Sequence, residues 1–244
     1  MHDNENHAAL GWKALIKFAV GTLAMFLVVY VSTPHQVRSE DGVQPQRLIG
    51  MAIEQAIENI NAAVTFKNNK PIRDRYAYRE ATFEAFKIIQ RFPDEISGEQ
   101  FTFVARALNN IRLFKETIEL SNLGLEYDFT FDERWSLLLS KAYAFSTRRR
   151  WDHARSTYDL ALQLVKDNEA NFQNPEQLLD LYLPIYRGWI AVERDSKQCD
   201  TAIRLYDEMT TSYWYLQLGE DTLNELQRFN YVMENSIAFS CKST

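Results

Sequence analysis

An all-α fold is predicted by three observations. Helix breakers are scarce: 244 residues contain only 8 glycines and 6 prolines. From residue 47 onward, apolar side chains recur at i, i+3 and i+4, the period of helices with one buried face. Small residues also return at a near-constant interval, with Ala81, Thr117 and Ala154 standing 36 and 37 residues apart.

Composition narrows the function. Aromatic residues make up 13% of the chain, enough to fill a substantial core. A net charge of −6 argues against general affinity for nucleic acid. The two cysteines, Cys199 and Cys241, and the four histidines, His2, His7, His35 and His153, are too few and too scattered for a zinc site. Phosphate-binding glycine loops, His-Glu-x-x-His and Gly-x-Ser-x-Gly are all missing from the sequence. We therefore expect no catalytic residues, no metal, no cofactor, no small-molecule substrate and no enzymatic activity.

The chain opens with a short polar tail, residues 1–13, and then residues 14–31 read ALIKFAVGTLAMFLVVYV. Eighteen helical residues span about 27 Å, close to the thickness of a bilayer's hydrocarbon core. Lys17 lies near the start, where its stem can snorkel to the headgroups, and Trp12 and Tyr30 occupy the two ends as interfacial aromatics do. A cleaved signal peptide would share this apolar run, but the polar stretch before it is long and no Ala-x-Ala follows. The expectation is an uncleaved transmembrane helix over residues 14–32. Lys13 and Lys17 precede the span and Arg38 and Arg47 follow it, a nearly level count, but the lysines are closer, so the tail is expected in the cytoplasm and the remainder outside it, in the periplasm of a Gram-negative envelope. Residues 33–46, with Pro34, Gly42 and Pro45, read as a linker to a helical domain over residues 47–244.

The first domain helix follows from Leu48, Ile49, Ala52, Ile53, Ala56, Ile57 and Ile60. A polar loop, Lys67 to Asp74, separates it from a helix over Arg75 to Arg91 that stops before Pro93. Ser97 followed by Gln100 is a capping-box signature for the next helix. That helix buries Phe101, Ala105 and Leu108, and Leu138, Ala142 and Phe145 repeat the same places one unit later after a cap at Asp132. Between and after them, Phe114, Thr117, Ser121 and Gly124 repeat as Trp151, Ala154, Tyr158 and Ala161. Asn174 with Pro175 starts a further helix, which Pro184 is expected to kink. Its partner carries Ala202, Tyr206 and Met209, and residues from Leu223 to Phe239 form a closing helix. The total is about nine helices after the anchor.

The run Trp151, Ala154, Tyr158, Ala161, with Leu162, resembles the second helix of a tetratricopeptide repeat (TPR). The resemblance is best over residues 138–164 and weaker in the units on either side. It implies an α-solenoid of stacked helical hairpins in which Ala105, Phe114, Ala142, Trp151, Ala154, Tyr158 and Ala161 are packing residues. It also implies a partner-binding concave face lined by first helices, here with Thr102, Arg106, Asn109, Leu139, Tyr143 and Ser146. Of these, Arg106, Asn109, Leu139 and Tyr143 are the partner-binding candidates. Arg106 and Thr102 depart from the carboxylate clamp of chaperone-binding members, which places recognition of a C-terminal carboxylate in doubt. The layout is similar to envelope proteins that carry such repeats after one N-terminal span.

The expected function is a membrane-anchored scaffold or adaptor holding other proteins of the cell envelope, for assembly, secretion or quality control. An obligate structural subunit of a membrane complex is the alternative. Arg148, Arg149 and Arg150, with Arg155 nearby, form a basic turn that is either solvated or a dock for an acidic partner or anionic headgroups. Cys199 opens one helix and Cys241 closes the next, so an antiparallel hairpin would return both to one end, within disulfide reach. Two unrelated free thiols are the other reading.

Overall fold

The computed structural model describes residues 45–67 and 70–241. The tail and the transmembrane span expected over residues 1–32, and all of the expected linker except its last two residues, lie outside them. Among the described residues no helix is long and apolar enough to cross a membrane.

The described residues are mostly helical. Ten helices are present among them: α1 (Pro45–Ala62), α2 (Arg75–Arg91), α3 (Gly98–Asn110), α4 (Phe114–Gly124), α5 (Phe131–Thr147), α6 (Trp151–Asn168), α7 (Pro175–Asp195), α8 (Cys199–Thr211), α9 (Tyr213–Leu216) and α10 (Glu220–Cys241). Nine are long, and α9 is a single short turn. The expected polar loop between the first two is instead a small antiparallel hairpin, β1 (Val64–Lys67) on β2 (Lys70–Arg73), with Val64 opposite Arg73. Val64, Thr65, Phe66 and Ile72 are β-branched or aromatic and favour extended backbone, a local preference hidden beneath the lysines.

Local chemistry sets the helix starts. Asp74 accepts from the backbone N–H groups of Tyr76 and Ala77 at 3.1 Å each and so caps α2. Ser97 and Gln100 exchange both bonds of a capping box at the start of α3. At α5 the cap is Thr130 rather than Asp132: its N–H and hydroxyl both donate to Glu133 Oε2 at 2.8 Å. Asp132 lies in the first turn, where its charge still favours the helix dipole. Gln177 N donates to Asn174 Oδ1 at 2.8 Å, with Pro175 in the first turn of α7.

From α1 to α9 helices pack on their neighbours in sequence, and alternate helices also touch: α1 with α3, α2 with α4, α3 with α5, α5 with α7, α7 with α9 and α8 with α10. α3 and α5 run side by side in the same direction, because Gly98 faces Glu133 while Asn109 Nδ2 donates to Ser140 O at 3.0 Å. Two core clusters result. One joins Ile53, Ile60, Ile89, Phe101, Leu120 and Leu137; the other joins Leu138, Tyr158, Ile185, Ile190, Leu205 and Met209. Burying a side chain of this size is worth about 1.5–3 kcal/mol. In α2 the buried face is Tyr78, Thr82, Ala85, Phe86 and Ile89, so Ala81 is displaced to the half-buried margin.

Three inter-helix turns are built alike. In α3–α4, Arg112 takes φ 62° and Leu113 N donates to Leu108 O. In α5–α6, Arg149 takes φ 57° and Arg150 N donates to Phe145 O. In α7–α8, Lys197 takes φ 64° and Gln198 N donates to Glu193 O. Each is a Schellman-type ending with one left-handed residue, a position that glycine usually fills. The next helix then begins two residues later in every case, at Phe114, Trp151 and Cys199.

Cys199 and Cys241 are joined, with Cα atoms 5.8 Å apart. The bond ties the end of α10 to the start of α8. Beside it Lys197 Nζ donates to Ser240 O, Arg194 donates to Ser236 Oγ and Tyr206 Oη donates to Glu234.

Candidate functional site

Two clefts open beside the repeated turns. The first, of about 410 Å³, is lined by Arg106, Asn109 and Asn110 at the end of α3, Arg112 in the turn, and Tyr143 on α5. The Schellman ending brings Arg112 back over the end of α3, and the parallel course of α5 delivers Tyr143 to the same place. Arg106 Nε donates to Thr102 O of its own helix at 3.3 Å. Neither Arg106 nor Arg112 has a carboxylate partner among the described residues. Tyr143 is 53% exposed, and its ring meets Phe114 edge-on at 6.2 Å between centroids.

The candidates read from the sequence separate here. Arg106, Asn109 and Tyr143 come together. Leu139 is partly buried, packs on the second core cluster, and is not part of the cleft lining. Thr102 is only 3% exposed, with its hydroxyl donated to Glu99 O, so it is a packing residue rather than part of a groove. Asn109 is partly committed as well: its Nδ2 bonds α5, and its buried Oδ1 has no donor. The residues read as packing positions are inside: Ala105, Ala142, Ala154 and Ala161 are fully buried, Tyr158 nearly so, and Phe114 and Trp151 pack at the margin of the second cluster.

The second cleft, of about 310 Å³, lies one hairpin further on. Arg149, Arg150, Trp151, Asp152, His153 and Arg155 line one side, and Ser196 and Gln198 of the α7–α8 turn line the other. Arg150 stacks its guanidinium on Phe145, 5.2 Å from the ring centroid, and reaches His153 Nε2 at 3.0 Å. His153 also contacts Phe145, so it serves as a surface packing residue. Arg148, Arg149 and Arg150 form no ion pair among the described residues.

Arg155 behaves differently. Its Nε donates to both oxygens of Glu193, at 2.9 and 3.0 Å, its other nitrogens reach Asp152 and Ser196, and Trp189 Nε1 adds a bond to Glu193 at 2.8 Å. Glu193 is 1% exposed. The Glu193 hydrogen bond is the main cause holding the Arg155 guanidinium above its ordinary value, outweighing burial. This network reaches the second cleft through Asp152, Arg155 and Ser196 and fixes one hairpin on the next.

Asn110, Arg112 and Glu193 were not singled out from the sequence. Glu193 carried a signal: it stands four residues after Trp189 within an otherwise apolar helix face. Arg112 carried none, because nothing in its identity marks a left-handed turn. Among the described residues no group of His, Cys, Asp or Glu is arranged to hold a metal ion. Set against protein-family models, curated proteins and solved structures, the chain matches none of them.

Proposed function

We propose that the chain is a membrane-anchored, TPR-like scaffold that holds protein partners in the cell envelope, for assembly, secretion or quality control. The reading assigns it no enzymatic activity. The observation that carries it is the turn repeated three times, at Arg112, Arg149 and Lys197, with an open cleft beside successive copies. One backbone device used three times between successively packed helices supports a solenoid of hairpins. An open cleft carrying unpaired arginines and an exposed tyrosine supports partner binding, since such side chains make strong contact residues. The anchor rests on the apolar run at residues 14–31. The Cys199–Cys241 bond supports an oxidising compartment and hence an extracytoplasmic domain.

The test is photocrosslinking in intact membranes, with a photoreactive residue at Tyr143 and then at Arg106. Discrete protein adducts at these positions support the scaffold. Adducts arising only from residues 14–32 would move binding into the bilayer and overturn it.

One observation favours the second reading, an obligate structural subunit. Tyr231 and Val232 are exposed on α10. A subunit that is permanently covered there would self-associate when purified, and would return to a single species on addition of its partner complex.

A further inference from the structure

The two clefts share features that the hairpin repeat alone does not require. The left-handed position of each turn would be most comfortable with glycine, yet it holds Arg112, Arg149 and Lys197. All three are long cations in a chain whose net charge is −6. Lys197 is used internally, against Ser240 O. Arg106, Arg112, Arg148, Arg149 and Arg150 are left without an acidic partner among the described residues, although Arg155, Arg194 and Arg204 all have one. Because α3 and α5 run in the same direction, the α3–α4 and α5–α6 turns fall at one end of the helices, and these five lie at or beside them, whereas Arg47, Arg73, Arg75, Arg79, Arg91 and Arg134, also without an ion pair among the described residues, are spread over other elements.

The linings indicate what these guanidiniums meet. Arginine forks match carboxylates in a planar, bidentate manner. Asn110 in the first cleft and Gln198 in the second add side-chain amides, which both donate and accept and so suit a peptide backbone. Tyr143 supplies an exposed ring for a neighbouring side chain. The two clefts sit at the ends of α3 and α5, which pack on each other, and packed helices lie about 8–10 Å apart; an extended chain of polyproline II type rises about 3.1 Å per residue with three residues per turn, so side chains three residues apart share a face and match that step.

We propose that this edge binds one extended, acidic peptide segment of a partner protein, with one carboxylate on Arg106 and Arg112 and another, about three residues away, on Arg149 and Arg150. The inference rests on the scaffold reading and specifies the chemistry of its partner.

The test uses the full-length chain in nanodiscs and fluorescence anisotropy with labelled extended peptides. The peptides carry two glutamates at varied separation, and lysine replaces both in the control. Binding is expected to be strongest at a separation of about three, to weaken with salt, and to vanish for the lysine peptide. Arg106→Gln with Arg112→Gln, and separately Arg149→Gln with Arg150→Gln, should each weaken it about tenfold or more, as loss of charged hydrogen bonds does. Arg79→Gln, an exposed arginine on α2, should leave it unchanged. A peptide with a single glutamate should respond to one arginine pair at most. Affinity that ignores spacing or survives both double variants overturns the proposal. So does arginine-dependent binding to phosphatidylserine vesicles with no affinity for the peptides. If crosslinks at Tyr143 persist while acidic peptides fail, only this inference falls; if the crosslinks fail too, the scaffold reading falls with it.

Discussion

The phenol of Tyr158 on α6 lies directly against Gly188 on α7, where a Cβ would come within 2.7 Å of Tyr158 Cε1. The rigid ring cannot fold away, so Gly188→Ala would push α7 off α6. Overpacking of this kind costs about 1–3 kcal/mol, against a gain of about 1 kcal/mol from better helix propensity. A net loss of about 1 kcal/mol in urea unfolding is expected. Gly50, on α1, has open space at its Cβ, and Gly50→Ala should instead gain about 0.5–1 kcal/mol.

Arg155 and Glu193 form a coupled pair. Arg155→Met strands a buried carboxylate, and breaking such a pair costs about 3–5 kcal/mol. Because Arg155 keeps about a quarter of its side chain in solvent, we expect the lower end of that range. Arg155→Met with Glu193→Leu should cost less than the single change. Denaturant curves for the four forms give the coupling, and simple additivity would show that the two side chains act independently.

The Cys199–Cys241 bond closes a segment with a sequence separation of 42. Loop-closure entropy puts its contribution at about 4 kcal/mol. Cys199→Ser with Cys241→Ser should lower stability by roughly this amount, and reductant should act on the natural chain but not on the variant. Equal midpoints with and without reductant would mean that α10 is held without the bond.

Burial raises the Tyr158, Tyr182 and Tyr186 phenols above their ordinary value of 10.0, and negative charge adds to the effect at Tyr182, from Glu169, and at Tyr186, from Glu208. The folded chain therefore keeps these protons after the unfolded chain has released them. Their stabilisation is complete below pH 10 and is lost as pH climbs beyond it. Urea midpoints should fall in that window, and the part of the tyrosinate absorbance that comes from the buried phenols should appear together with unfolding, after that of exposed rings such as Tyr76 and Tyr231.

Arg149 occupies left-handed backbone at φ 57° and makes no ion pair among the described residues. Arg149→Gly should stabilise the chain by about 0.5–1 kcal/mol by relieving the Cβ clash. A loss instead would mean that the arginine side chain supports the turn.

Where the fold is legible in the sequence, short-range rules govern it. The capping box at Ser97, the start at Asn174–Pro175 and the buried stripe Ala154, Tyr158, Ala161 each depend on residues within a few positions of one another. The β-hairpin was concealed because its strands interrupt a helical pattern with only four residues each. The cap at Thr130 was missed because Asp132 is the stronger acceptor on paper, while Glu133 turned back to the threonine instead. In the clefts, the resemblance to repeat first helices put Arg106, Asn109 and Tyr143 on one face, together with Thr102 and Leu139, which the cleft lining does not include. Arg112 and Glu193 depend on a backbone angle and a partner 38 residues away, which no periodicity encodes.

α5 contributes Leu137 to one apolar cluster and the adjacent Leu138 to the other. α4 does the same with Ile118 and Leu120, so the α4–α5 pair is the party wall between two interiors built otherwise from the helices before it and after it. Loss of order need not be all-or-none: the half containing α1 to α3 can melt while the half closed by α10 persists. Calorimetric and van't Hoff enthalpies should then disagree, and amide exchange should be slowest in the half that holds the covalent clasp.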